Sequence, residues 1–109
     1  MTKPLNFDAL KELTGESGEL QDSLIALYEV TAERCITMLE SLVENDDDER
    51  WHGVAHELKG ASGSIRAEEM AALCRQIEYL PFDPDERKRA CELLRESLVE
   101  FKAFVEKAK

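Results

Sequence analysis

Apolar residues recur along this chain in steps of three and four, the spacing of one helix face. No stretch alternates with the period of two that a half-buried strand requires. Asn6 is placed to cap a short helix from Phe7 to Thr14, anchored by Phe7, Leu10 and Leu13 and stopped at Gly15. Ser17 is placed to cap a second helix from Gly18 to Asn45, with Leu20, Leu24, Leu27, Thr31, Cys35, Met38, Leu39 and Leu42 on its stripe. A third is predicted from Arg50 to Ile65, turning Trp51, Val54, Ala55, Leu58, Ala61, Ser62 and Ile65 inward. A fourth, from Ala67 to Leu80, turns Met70, Leu73, Cys74, Ile77 and Leu80 inward and is stopped by Pro81. Asp83-Pro84-Asp85-Glu86 starts the last, with Asp83 as cap, Pro84 at the first position and Glu86 three after the cap. Its inward residues are Cys91, Leu94, Leu98, Phe101, Val105 and Ala108.

Four long amphipathic helices with short links predict an all-α fold. The expected form is an antiparallel up-down four-helix bundle, with the short additional N-terminal helix across one end. No link has the composition of a flexible linker, so residues 1–109 read as a single domain.

Charge narrows the functions available. Lys and Arg number 14 against 24 Asp and Glu, a net charge of −10. That balance argues against nucleic acid and against anionic membrane surfaces as partners. No apolar run approaches the roughly 20 residues of a membrane span, and no apolar stretch follows Met1-Thr2-Lys3-Pro4 as a signal peptide would need. Cys35, Cys74 and Cys91 are odd in number, lack a Cys-x-x-Cys pair and sit on apolar stripes, which predicts buried reduced thiols in a cytoplasmic protein. Asp46-Asp47-Asp48-Glu49 lacks the alternating ligands and central Gly of a calcium loop and reads as a solvated turn charging the next helix's N-terminus. The methionine start and the helical end at Lys109 predict a free-standing protein.

The outer face of the third helix carries the candidate chemistry. At ~100° per residue, His56 falls about 140° from Trp51, almost opposite the apolar arc, and points to solvent. His52, Lys59, Gly60 and Gly63 share its side, with Gly53 nearby. A helical glycine costs about 1 kcal/mol relative to Ala, and helix formation does not explain three of them. Either they clear ground for another surface to approach the imidazole, or they pack against a helix of the chain itself. Lys59, one turn from His56, is placed to meet negative charge on the ring. An exposed imidazole with a cation beside it and open ground around it suits a nucleophile that receives a phosphoryl group. His52 competes for that role. His52 and His56 are also spaced to share a metal, but Gly60 stands where a second zincin histidine belongs and no third ligand is in view, so no metal site is expected.

The segment from His56 to Ala67 resembles the signature of histidine phosphotransfer (HPt) domains, H-x-L-K-G-[SA]-[SA]-x-x-[LIV]-G-A. It matches at His56, Leu58, Lys59, Gly60, Ala61, Ser62, Ile65 and Ala67. Ala55 and the Cys74–Glu78 stretch also look like the family, and a helical bundle with a short leading helix covers the whole chain. The resemblance implies a phosphorelay intermediate. His56 is then the phosphoacceptor, Lys59 assists by charge, and Gly60 leaves room for a docking receiver domain, with Gly63 added to that clearance by its place on the same helix face. Gln76 on the adjacent helix is a further auxiliary candidate. The implied partners are response-regulator receiver domains and a hybrid sensor histidine kinase. The receiver supplies Mg²⁺, this chain binds no cofactor, and it acts as a monomer and not as an autonomous enzyme. Arg66 departs from the pattern, which has Gly there; it either adds a cation for an acidic partner pocket or marks a different inter-helix turn. Two rivals stand beside this reading. The phosphoacceptor hairpin of a histidine kinase needs Pro five residues after its His, where this chain has Ala61. An acidic helical adaptor would use the bundle without phosphate chemistry.

Overall fold

Most helices here start where a short polar side chain can accept hydrogen bonds from unpartnered backbone N–H groups. The computed structural model describes residues 3–108, so Met1, Thr2 and the Lys109 end lie outside it. Asn6 Oδ1 accepts from the Ala9 N–H (3.1 Å) and opens α1, Phe7–Thr14. Ser17 Oγ accepts from the Leu20 N–H (3.1 Å) and opens α2, Gly18–Ser41. Asp47 Oδ1 accepts from the Arg50 N–H (3.0 Å) and opens α3, Asp48–Ile65, two residues earlier than predicted. α4, Glu68–Ile77, follows at once without a side-chain cap. Asp83 Oδ1 accepts from the Asp85 and Glu86 N–H groups and opens α5, Pro84–Ala108. Among the described residues all regular elements are helices, the all-α class that the periodicity predicts. None of these helices is long and apolar enough to cross a membrane.

α2 packs on α3 and α5, and α4 packs on the same two, so four helices close a ring around one core; α1 lies against α2. Phe7 of α1 stacks on Phe104 of α5 with centroids 5.9 Å apart. The core holds Trp51, Leu58, Met70, Leu94 and Phe101 together with all three cysteines, which are buried and free. Burial pushes the Cys74 and Cys91 thiols up to about 12, so both remain protonated and inert.

The buried face of α2 differs from the predicted stripe. Ile25, Tyr28, Ala32, Cys35, Ile36, Leu39 and Leu42 are buried, while Leu20, Leu27 and Met38 are exposed. Two apolar stripes overlap on this helix, and contact with both α3 and α5 selects the one richer in Ile, Tyr and Ala. Leu24, Leu27 and Thr31 instead line an apolar groove between α2 and α3. In α1, Leu13 is exposed and Thr14 is buried, its Oγ1 donating to the Leu10 carbonyl (3.2 Å). Ala108 is exposed rather than inward.

The helix ends also depart from the predicted limits. α2 stops at Ser41, not Asn45, because the Leu42 and Val43 N–H groups turn back to Leu39 and Glu40. Arg87 Nη1 then takes the Asn45 carbonyl (3.0 Å). The Arg87 guanidinium is fully buried between the rings of Trp51 and Phe82, 4.7 and 5.1 Å from their centroids, and its Nη2 donates to Asp48 (2.5 Å). The acidic turn is therefore not wholly solvated: Asp47 caps α3 and Asp48 neutralises a buried cation. α4 ends at Ile77, three residues short of Leu80: the Leu80 N–H turns back to the Ile77 carbonyl (3.0 Å), and the residue before Pro81 disfavours helical backbone.

The α3–α4 junction keeps, at Arg66, a turn that suits glycine. The Arg66 N–H bonds back to Gly63 O (3.2 Å) and the Ala67 N–H to Ser62 O (2.8 Å), the paired bonds of a Schellman helix end. Arg66 takes the left-handed position, φ 71° and ψ 32°, which glycine occupies without strain. The turn is thus the ordinary glycine turn with an arginine in it. Replacing Arg66 with Gly is expected to raise unfolding stability by about 1 kcal/mol, read as a higher urea midpoint at unchanged m-value.

Candidate functional site

α3 is held by Trp51, Ala55, Leu58 and Ser62, all buried, and Ser62 Oγ is fixed by the buried Tyr28 hydroxyl at 2.8 Å. That grip turns the opposite face outward, and the His56 side chain is 65% exposed. The glycines on this face serve no packing. A Cβ built on Gly53, Gly60 or Gly63 would meet nothing within 4 Å, so none of them accommodates a neighbouring helix.

The organising group is Glu78, directly after α4. Its side chain is only 3% exposed. Oε1 accepts from Lys59 Nζ (2.5 Å), while Oε2 lies 3.3 Å from His56 Nδ1 and 3.8 Å from His52 Nδ1. The Lys59 hydrogen bond outweighs burial and, with the His56 bond, holds the Glu78 carboxyl below the usual range. Glu78 is therefore ionised at neutral pH and can only accept, so His56 Nδ1 carries the proton and donates it. In the neutral ring Nε2 keeps its lone pair, on the edge that Glu78 does not engage.

His52 lies beside this arrangement. Its Nδ1 donates to the Glu78 backbone carbonyl (3.3 Å), and its ring stacks on Tyr79 at 4.6 Å. It is less open than His56, at 39% side-chain exposure. Lys59, Gly63 and Arg66 line a groove between α3 and α4 together with Arg75. Gln76 lies elsewhere, exposed in the groove between α4 and α5 with Leu73, Ser97 and Glu100, and is not a polar contact of His56. His52, His56 and Glu78 are the nearest approach to a metal-ligand set, but the Lys59 ammonium already occupies Oε1. Among the described residues no group of His, Cys, Asp or Glu is arranged to hold a metal ion.

Sequence reasoning left Glu78 without a role, although a signal was present. Glu78 follows Cys74 by four and so continues the buried stripe of α4. A carboxylate there needs a facing cation or donor, and α3 supplies Lys59 and two histidines.

A family model for the Hpt domain matches residues 23–108. The chain belongs to the Hpt domain family. Hpt domains are phosphotransfer carriers of phosphorelays, not catalysts in general, and they meet response-regulator receivers and kinases. Comparison with curated proteins and with solved structures gives no match.

The Glu78 contacts of this Hpt domain make its stability sensitive to acid. A carboxyl whose folded-state value is depressed contributes stability that is full above its unfolded value and is lost as pH falls through the folded one. Below the ordinary value of 4.5, wild type is expected to lose stability more steeply than Glu78→Gln. Denaturant midpoints of the two proteins over that range measure it, and parallel curves would contradict it.

Proposed function

We propose that this Hpt domain relays phosphoryl groups between receiver domains through Nε2 of His56. The observation that carries the reading is the buried, ionised Glu78 holding the Nδ1 proton of an imidazole whose other edge is open to solvent. The Nε2 lone pair attacks the phosphorus of a receiver phosphoaspartate, or of a kinase donor. The N–P bond forms as the aspartyl O–P bond breaks, and the aspartate leaves as a carboxylate. The ring becomes cationic with its Nδ1 proton in place, and Glu78 neutralises it without giving or taking a proton. The reverse steps deliver the group to a second receiver aspartate. Such transfer depends on positioning and charge neutralisation. Lys59, held on the same carboxylate as His56, is the cation that meets the phosphoryl oxygens. Mg²⁺ comes in the receiver's own acidic pocket, so the domain is a substrate of its partners.

The bare surface at Gly60 and Gly63 supports close approach of a receiver. The apolar groove of Leu24, Leu27, Thr31, Ala61 and Ser64 beside them supports docking of an apolar receiver helix. Short links between consecutive packed helices support an antiparallel up-down bundle in a single domain; we take that domain to act as a monomer in the cytoplasm.

Mixing with phosphorylated receivers is expected to leave acid-labile, base-stable phosphate on the wild type and on His52→Gln, and none on His56→Gln. Phosphate retained by His56→Gln and lost by His52→Gln would reverse the assignment. Gly60→Gln is expected to stabilise α3 by about 1 kcal/mol while slowing transfer from a receiver at least about tenfold. Its labelling by phosphoramidate, a small donor that docks nowhere, should be unchanged; stopped-flow transfer and unfolding curves check both halves.

A further inference from the structure

The groove between α3 and α4 gathers three basic side chains, of which only Lys59 is neutralised, by Glu78. It measures about 680 Å³ and is lined by Lys59, Arg66 and Arg75 over the small residues Ser62, Gly63 and Ala71. Three arginines elsewhere are paired within the fold: Arg34 with Glu57, Arg87 with Asp48, and Arg95 with Glu33 and Glu40. Among the described residues neither Arg66 nor Arg75 has a carboxylate within 4 Å. The single acid in the groove, Glu68, is taken by the Asn6 side chain (3.1 Å) and the Lys3 N–H (3.4 Å). Two unpaired arginines at one place in a chain of net charge −10 are a local reversal of its field.

Backbone conformation adds an independent sign. Arg66 occupies a left-handed position that suits glycine. Inside the chain its guanidinium makes one bond, to the Gly63 carbonyl (2.9 Å), which does not need an arginine. Strain retained at a position whose side chain has little to do within the fold points to a use outside it.

We infer that this groove binds an acidic segment of the receiver domain that docks over His56, with Arg66 and Arg75 as determinants of partner choice. The inference rests on the phosphorelay reading and deepens it. Lys59 belongs both to the groove and to the Glu78 cluster, so the groove opens directly beside the imidazole. An acidic loop spanning only this groove meets the two unpaired arginines, whereas an extended polyanion such as nucleic acid would also meet the acidic remainder of the surface.

The test titrates unphosphorylated receiver domains of the source organism into the wild type, Arg66→Gly, Arg75→Gln and the double variant, by calorimetry at low and high salt. Each arginine lost is expected to weaken binding about threefold at low salt, and both together about tenfold. The differences should shrink as salt screens the groove. Arg66→Gly should bind more weakly although its unfolding midpoint rises, an opposition that a merely structural residue would not show. Equal affinity and equal salt dependence in all four proteins would overturn the inference. Phosphoramidate labelling of His56 should be the same in all four; labelling that fails while the binding differences persist would reject the phosphoacceptor and leave the groove standing.

Discussion

One buried carboxylate organises the functional face. Glu78 sits just beyond α4, almost out of reach of water, and faces Lys59, His56 and His52 on α3. Without them it would be an unpaired charge in the bundle wall; without it His56 would have no fixed tautomer and Lys59 no anchor. The contact crosses between helices, so the chemistry of His56 depends on how α3 and α4 pack. That packing is set by Trp51, whose Nε1–H donates to the Ile77 carbonyl (2.9 Å), by Leu58 and by Cys74. Core and site are linked through one residue's width of chain, from Ile77 to Glu78.

The same face gives up local stability in several places. Gly53, Gly60 and Gly63 leave open space where alanine would fit and strengthen the helix. Arg66 holds a backbone conformation that suits glycine. Away from this face the fold spends its polar groups on itself: Asn6, Ser17, Asp47 and Asp83 cap helices, and Arg87 ties the α2–α3 turn to α5 between two aromatic rings. The open glycines and the left-handed arginine thus fall on the face that carries His56.

Much of this was legible in the chain. Capping residues signal through the backbone immediately after them, so Asn6, Ser17 and Asp83 were readable without tertiary knowledge. His56 was readable because α3 has one clear apolar arc, and the direction opposite it is unambiguous. α2 was less clear, since Leu20, Leu27 and Met38 compete with Ile25, Tyr28 and Ile36 for the inner face. A helix that touches two neighbours buries an arc that its own periodicity does not select. Gln76 was placed near the histidine from the family resemblance, whereas it lines the groove toward α5.

The amino-acid pattern by itself determined the helices, the starts of α1, α2 and α5, the outward histidine and the cleared ground around it, because each follows from spacing within a few turns of chain. Tertiary structure decided what lies beside that histidine. Glu78 and Lys59 are separated by nineteen residues in sequence and 2.5 Å in space, and Arg66 joins Arg75 only where α3 and α4 meet. Electrostatic partners of this kind are fixed by the angle and register of one helix against another, and those belong to the whole core rather than to any one segment.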